Sequence, residues 1–169
     1  MYIIGISAYY HDSSICVFKD NHLIYACEEE KFTGIKHDSS FPYKSIDFIM
    51  KRYKISKKNI AAVCYYEDPK LKYERVMENI KNQWITNPIY SLKSYLKIKN
   101  NKKQIDKKLR EISPNVFYST HHEAHLYYSY YTSPFEDALC LSVDGVGEHD
   151  TSSVGYCGYN GIEYKPISK

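Results

Sequence analysis

Two histidines have the residue type and spacing of metal ligands. His121 and His125 stand four positions apart in the segment Thr-His-His-Glu-Ala-His, residues 120–125. On a helix, residues at this spacing lie on one face, so the two imidazoles can converge on a single metal ion. The alternative interpretation is a pair of surface or half-buried histidines on a Tyr-rich helix.

Asp144 is the candidate for a third ligand. It follows the apolar strand Ala-Leu-Cys-Leu-Ser-Val and precedes Gly145 and Gly147, and glycines allow backbone and ligand to approach closely. The alternative is a turn aspartate that stabilises its own backbone. Two histidines and one carboxylate would leave coordination positions open for substrate or water, as a catalytic metal requires.

A capping box predicts where the helix that carries the histidines begins. Thr120 is followed three residues later by Glu123, the pattern in which each side chain bonds the other residue's backbone amide. A helix N-terminus disfavours imidazolium, so both rings should stay neutral and able to bind a metal.

A polar loop near the start of the chain has the composition of a phosphate site. The residues Tyr-His-Asp-Ser-Ser, 10–14, lie between two predicted strands, and their hydroxyl groups and backbone amides suit an anion. A loose Asp-Ser turn is the competing interpretation. We take Asp12 and Ser13, together with Gly145 and Gly147, as candidate cofactor-binding residues. The segment 28–38 is dense in charge, and a solvated loop is its usual interpretation.

Hydrophobic periodicity supplies the elements that position these residues. Strands are predicted at residues 1–7, 15–19, 23–27, 60–65, 116–119, 138–143, 152–157 and 162–165. A helix is predicted after Phe41-Pro42, with an apolar stripe at Ile46, Ile49, Met50 and Tyr53. The pattern over residues 70–110 is helical but broken at Pro88, and Thr120 opens a further helix.

The two ends of the chain resemble each other. HDSSICVFKDNHLIY near the start and HDTSSVGYCGYNGIEY near the end each follow an apolar strand and cover a strand, a turn and a strand. The alternatives are a duplicated unit and a chance likeness between two hairpins. A hairpin with a polar first loop, then alternating helices and strands, then the hairpin again is the plan of the actin, hexokinase and Hsp70 class. We predict an α/β fold: a first actin-like (ribonuclease H-like) lobe, residues 1–136, with a mixed sheet flanked by helices, and the first hairpin of a second lobe, residues 137–169.

Composition excludes several classes of protein. Hydrophobic residues are 43% and charged residues 25% of the 169, as in an ordinary globular domain. No apolar run approaches the roughly 20 residues of a membrane span, and the N-terminus lacks the pattern of a signal peptide. A cytoplasmic location with no membrane partner is therefore expected, and the five cysteines, an odd number with no C-x-x-C spacing, fit reduced thiols.

Charge argues against a nucleic-acid partner. The formal net charge is only +3, which does not require nucleic acid as a partner. Lysines do cluster at residues 51–58 and 97–110. A solvated helix face is favoured over a phosphate-backbone site for both clusters.

Five motifs in order then indicate a family. GISAYYHDSS, EEEKFTGIKHD followed by FP, HHEAH, SPFEDA and SVDGVGE together resemble the carbamoyltransferases of the nodulation-protein and antibiotic-tailoring type. The resemblance covers nearly the whole chain and is weakest in the Lys-rich middle. It implies an enzyme that makes carbamoyl adenylate from carbamoyl phosphate and ATP and transfers the carbamoyl group to a hydroxyl of a small molecule.

The resemblance also implies roles for individual residues. His121, His125 and Asp144 match ligands of a divalent metal, expected to be iron. His11 and Lys36 match loop residues at the carbamoyl adenylate, so Lys36 would stabilise charge and His11 would act as an acid–base or orienting group.

The sequence departs from the family pattern in several places. Lys31 stands where the family usually has arginine, and Ile35-Lys36 stands in place of a basic pair. A further aspartate ligand, an adenosine-binding segment and the domain that makes the adenylate are expected downstream, so the isolated chain is expected to be inactive. The alternatives are a threonylcarbamoyl-type transferase acting on tRNA, which resembles the His-His-x-x-His and Val-Asp-Gly motifs in part, and a non-catalytic metal- or nucleotide-binding module.

Overall fold

The computed structural model describes residues 1–145 and 150–168 and has a mixed α/β architecture. The strands are β1 (Tyr2–Ser7), β2 (Ser14–Lys19), β3 (His22–Glu28), β4 (Ile60–Tyr65), β5 (Val116–Tyr118), β6 (Ala138–Val143), β7 (Ser152–Gly158) and β8 (Gly161–Ser168). The helices are α1 (Glu30–Thr33), α2 (Tyr43–Arg52), α3 (Pro69–Gln83), α4 (Pro88–Ile112) and α5 (His121–Tyr131), and a 3₁₀ turn covers Lys57–Asn59. Every predicted strand is confirmed.

The chain divides into two compact units. The first unit contains Met1–Tyr66 and Asp106–Tyr118, and the second contains Glu67–Ile105 and Ser119–Lys169. This division does not coincide with the predicted lobes at residues 1–136 and 137–169, which remain a prediction. Within the described residues, none of the helices is both long and apolar enough to span a membrane.

The first unit is built on a five-stranded mixed sheet with the order β3-β2-β1-β4-β5. β1 and β3 run antiparallel to β2, whereas β4 lies parallel to β1 and β5 parallel to β4. Side chains alternate between the two faces of a strand, and Ile4, Ile6, Val17 and Val63 are fully buried on one of them. The predicted mixed sheet flanked by helices is therefore confirmed for this unit.

A buried carboxylate fixes the start of α2. The backbone amides of Lys44 and Ser45 donate to Glu29 at 2.9 Å, and the Ser45 hydroxyl donates to it at 2.5 Å. Glu29 is only 2% exposed, so its charge is balanced by the unsatisfied amides of a helix N-terminus. The predicted stripe on α2 is confirmed in its centre, where Ile46 and Ile49 are buried.

The charge-dense segment is not a solvated loop throughout, and that prediction is wrong for its first part. Residues Glu30–Thr33 form α1, which ends at Gly34 with a φ of 71°. A left-handed residue at a helix C-terminus favours glycine because glycine has no Cβ. The turn returns the chain towards Asp38, which is buried.

The predicted break at Pro88 is confirmed. α3 begins at Pro69 with the Asp68 side chain accepting from the Lys70 amide at 2.7 Å, and α4 begins at Pro88. Proline suits the first turn of a helix because its missing N–H would be unpaired there in any case. Pro88 therefore separates two helices.

The second unit contains a three-stranded antiparallel sheet with the order β6-β7-β8. Leu126 and Tyr130 of α5 pack with Cys140 and Cys157 of the sheet in a small buried cluster. Gly155 lies beneath the helix, because a Cβ on it would come within 3.1 Å of Leu126. This sheet and α5 position the candidate metal ligands.

Candidate functional site

The capping box at the start of α5 is confirmed. The Glu123 amide donates to Thr120 Oγ1 at 3.2 Å, and the Thr120 amide donates to Glu123 Oε2 at 3.1 Å. This pair fixes the first helical turn. The helix begins at His121, so both histidines of the motif lie in its first two turns.

One face of α5 is buried and the neighbouring face carries the two candidate ligands. His122, Leu126 and Tyr130 recur every four residues and are buried. His122 Nδ1 lies 2.6 Å from the Ser153 hydroxyl on β7. His121 and His125 form the adjacent row, because each is one residue earlier than a buried one. The sequence singled out these two ligands and gave no role to His122, which anchors the helix to the sheet.

The three predicted metal ligands lie together in the second unit. His121 Nε2 is 2.6 Å from Asp144 Oδ2, and His125 Nε2 is 3.1 Å from His121 Nε2 and 3.6 Å from the same aspartate oxygen. The Asp144 amide donates to the Thr151 carbonyl at 2.9 Å, which fixes the backbone of the aspartate where β6 ends. The fold thus brings His121 and Asp144 together although they are 23 positions apart in the sequence.

These donor atoms fit a divalent metal ion. Metal–ligand bonds of about 2.1 Å place neighbouring ligand atoms roughly 3.0 Å apart at right angles and roughly 3.4 Å apart at tetrahedral angles. The three separations lie between 2.6 and 3.6 Å, so opening the closest pair by roughly half an ångström would admit an ion. Burial lowers the pKa of His125, and the neighbouring His121 lowers it further. A neutral imidazole is the form that binds metals.

Two glycines, Gly145 and Gly147, follow Asp144 closely in the sequence. Gly145 is exposed, and a Cβ added there would meet no atom within 4 Å. The space beside the aspartate is therefore open. Gly147 lies outside the described residues, and the cofactor-binding role of both glycines stays a prediction.

The first hairpin loop of the first unit contains a second cluster of ionisable side chains. Asp12 accepts from two imidazoles, with His37 Nδ1 at 2.8 Å and His11 Nδ1 at 2.9 Å. The hydrogen bond from His37 is the largest cause that lowers the pKa of Asp12, followed by that from His11, and the same bond raises the pKa of His37. Glu30 joins the cluster by accepting from the His37 amide at 3.0 Å.

Asp12, Glu30 and His37 also have ligand-type atoms within 4.8 Å of one another. The sequence selected His11 and Asp12 but not Glu30 or His37. The density of charge and the family motif EEEKFTGIKHD indicate this segment but not these two residues, because the pairing joins residues 25 positions apart. A carboxylate that holds two imidazoles orients them both.

Ser13 is buried and its donors are occupied. Its amide donates to the Asp38 carbonyl at 2.8 Å, and its hydroxyl donates to the Ser40 carbonyl. Ser13 thus ties the hairpin loop to the chain before α2. Lys36 lies in an exposed turn of the charge-dense segment, residues 28–38. The predicted roles of Ser13 at a cofactor and of Lys36 in catalysis stay predictions.

A lysine from α4 holds the other end of this loop. Lys108 Nζ is 2.7 Å from the Tyr9 hydroxyl and lies over the rings of Tyr9, Phe41 and Tyr43 at 5.2 to 5.3 Å. Burial opposes the charge, but the Tyr9 hydroxyl and ring neighbours outweigh it and raise the pKa of Lys108. The solvated-face interpretation is therefore wrong for Lys108, which is half-buried.

Comparison with known proteins gives the family. A family described as "Carbamoyltransferase N-terminus" matches residues 2–162. Uncharacterized protein sll1178 of Synechocystis is 35% identical over 90% of this chain and 27% of its own length. Nodulation protein NolNO of Sinorhizobium fredii is 25% identical over 96% of this chain and 23% of its length. Uncharacterized protein MJ1051 of Methanocaldococcus jannaschii is 29% identical over 82% of this chain and 21% of its length.

The chain thus spans about a quarter of the length of these relatives. The matched residues include both clusters described above, since the match runs from residue 2 to residue 162. The motifs quoted from the sequence fall inside the same range. This chain belongs to the family of carbamoyltransferase N-terminal domains.

Proposed function

We propose that this chain is the N-terminal part of an ATP-dependent O-carbamoyltransferase. The whole enzyme would make carbamoyl adenylate from carbamoyl phosphate and ATP and transfer the carbamoyl group to a hydroxyl of a small molecule. A cytoplasmic location is proposed with it, because ATP is a co-substrate. The family match supports the transferase class. The observation that carries the site is the convergence of the ligand atoms of His121, His125 and Asp144 to within 3.6 Å of one another.

These three residues would hold a divalent metal, for which we propose iron. Such an ion supplies Lewis acidity, which polarises a carbonyl or phosphoryl oxygen. The protein's own contribution is orientation. Asp144 faces both imidazoles, and the capping box and the His122–Ser153 bond fix the helix that carries them.

Two side chains of the first unit, His11 and Lys36, would transfer a proton and stabilise negative charge during the reaction. The Asp12 carboxylate holds His11 by Nδ1, which leaves His11 Nε2 to give or take a proton. Lys36 would stabilise negative charge on a carbonyl or phosphate oxygen, since it is an exposed ammonium in the same segment. Asp12, Ser13, Gly145 and Gly147 stay the proposed cofactor-binding residues, with Ser13 acting through the backbone shape that it fixes.

An actin-like fold is part of the proposal. The order β3-β2-β1-β4-β5, with three antiparallel strands followed by two parallel ones, supports it for the first unit. The meander β6-β7-β8 supports the prediction that residues 137–169 begin a second lobe.

The metal assignment can be tested on this chain directly. Iron(II) or cobalt(II) is titrated under anaerobic conditions into the wild type, His125→Ala, Asp144→Ala and the control His22→Ala, whose ring lies at the exposed start of β3. We expect one bound ion per chain in the wild type and control, and at least a tenfold weaker affinity in the two ligand variants. Equal metal binding by all four proteins would contradict the assignment.

Transfer is tested in an intact relative. His125→Ala at the matching position should abolish formation of carbamoylated product from carbamoyl phosphate, ATP and a hydroxyl acceptor. Full activity of that variant would contradict the proposed function.

A further inference from the structure

We propose that the lysine-rich segment, residues 81–103, docks on the surface of an anionic lipid bilayer. This segment includes the end of α3, the connection at residues 84–87 and the first part of α4. It belongs to the second unit. The sequence predicts no membrane partner because it lacks a spanning helix, but a helix can also lie in the plane of the interface, and this proposal differs from that prediction.

Charge is concentrated in this part of the chain. Residues 79–105 contain six lysines and no aspartate or glutamate. The chain as a whole carries +3 and this stretch carries +6, so the remaining residues carry −3. An anionic membrane surface attracts such a basic segment, whereas the remaining residues together carry a net negative charge.

Exposed apolar side chains lie within the same segment. Ile89, Leu92 and Leu96 fall at i, i+3 and i+7 on α4 and are 70%, 49% and 51% exposed. Ile85, in the connection before the helix, is 92% exposed. A stripe at this spacing faces one direction. It gives the helix an apolar face that the described residues leave open to solvent.

Exposed aromatic residues flank the connection between α3 and α4. The Asn87 amide donates to the Gln83 carbonyl at 2.9 Å, and the Asn87 side chain accepts from the Tyr90 amide at 3.2 Å. These bonds close the end of α3 and open α4. Trp84 is 48% and Tyr90 57% exposed on either side, and both residue types prefer the membrane–water interface.

The arrangement of lysines favours a lipid surface over nucleic acid or a second copy of this chain as the partner. Lys93 follows Ile89 by one turn, and Lys99 and Lys103 continue the direction of the stripe beyond Leu96. A lysine stem can lie along apolar surface while its ammonium meets a phosphate headgroup. Nucleic acid would leave the isoleucines in water, and a second copy of the segment would bring like charges together.

Trp84 is the only tryptophan of the chain, so its fluorescence reports on the segment. The purified 169-residue chain is titrated with vesicles of phosphatidylcholine and phosphatidylglycerol, and with vesicles of phosphatidylcholine alone. We expect a blue shift of Trp84 emission only with the anionic vesicles, loss of the shift as salt rises, and quenching by brominated acyl chains.

Two pairs of variants separate charge from apolar contact. Lys93→Gln with Lys99→Gln should weaken partitioning about 30-fold, since each basic residue near an anionic surface contributes about fivefold. Lys57→Gln with Lys58→Gln is the matched control and should change nothing. Ile85→Ser with Ile89→Ser should abolish the quenching, whereas Leu23→Ser with Ile35→Ser, a pair of exposed aliphatic residues outside the segment, should preserve it.

Four outcomes would overturn the proposal. They are no emission shift with anionic vesicles, equal binding to phosphatidylcholine alone, binding to RNA or DNA without binding to vesicles, and self-association through the stripe seen by gel filtration without binding to vesicles.

Discussion

β1 and β6 each begin a three-strand antiparallel meander, yet two of the three isoleucines on β1 are buried whereas both leucines on β6 are exposed. On β1, Ile4 and Ile6 are 0% and 3% exposed. On β6, Leu139 and Leu141 are 78% and 63% exposed. The two strands were predicted from equally apolar sequences, so their hydrophobicity alone does not explain the difference.

The neighbours of the two strands explain it. β1 is paired on both edges, with β2 and with the parallel strand β4. Among residues 1–145 and 150–168, β6 pairs only with β7. Its inward residues, such as Cys140, pack against α5, while Leu139 and Leu141 on the outward face are exposed. A strand becomes a core strand only when other elements cover it, and the comparison therefore predicts different responses to the same substitution.

Truncation of one side chain on each strand gives the largest expected contrast. Ile4→Ala removes three carbons from a fully buried position and should lower the free energy of unfolding by about 2–5 kcal/mol. Leu141→Ala removes as many from an exposed position and should change it by less than about 0.5 kcal/mol. Urea unfolding followed by circular dichroism measures both. Equal losses would mean that β6 is covered in solution.

Removal of a helix cap supplied by another element should have the next largest effect. Glu29→Ala leaves the Lys44 and Ser45 amides and the Ser45 hydroxyl without their buried acceptor. We expect a loss of about 1–3 kcal/mol in the free energy of unfolding. Glu28→Ala, one residue earlier on the edge strand, is the control. A loss no greater than that of the control would show that Glu29 does not cap α2.

The local cap of α5 should matter less. Thr120→Ala removes the acceptor of the Glu123 amide and should cost about 1 kcal/mol. Thr120→Ser keeps the hydroxyl and should restore most of the stability. Metal affinity of the Ala variant should fall with it, because the first turn holds His121. If stability and metal affinity were unchanged, packing alone would determine where α5 begins.

The contrast between these two caps shows what the sequence could predict. The Thr120 cap, the break at Pro88 and the convergence of His121 with His125 are local, so their residue spacing carries the information. The Glu29 cap joins residues 15 and 16 positions apart, and no periodicity encodes it. The lysine cluster predicts a solvated face for Lys108, and this is wrong because the rings beneath it come from residues 65 to 99 positions earlier, which only folding brings close. The short helix α1 lacks the length at which a helical period is recognisable.

The two clusters of histidines and aspartate give the smallest and most specific contrast. Each has two imidazoles beside one carboxylate: His11 and His37 on Asp12, and His121 and His125 on Asp144. The pKa of His37 is raised by its bond to Asp12, whereas burial lowers the pKa of His125. The exposed cluster therefore favours a protonated ring and the partly buried one a neutral ring.

Nuclear magnetic resonance titration of the histidine ring protons in the metal-free chain tests this difference. We expect His37 to titrate above the ordinary pKa of about 6.5 and His125 below it. Asp12→Asn should return His37 to the ordinary value and leave His125 unchanged. Because the folded pKa of His37 is raised, its stabilising contribution is complete below the unfolded pKa and is lost as pH rises through the folded pKa. Asp12→Asn should abolish that pH dependence. A value for His37 that Asp12→Asn leaves unaltered would show that the carboxylate does not hold this imidazole in solution.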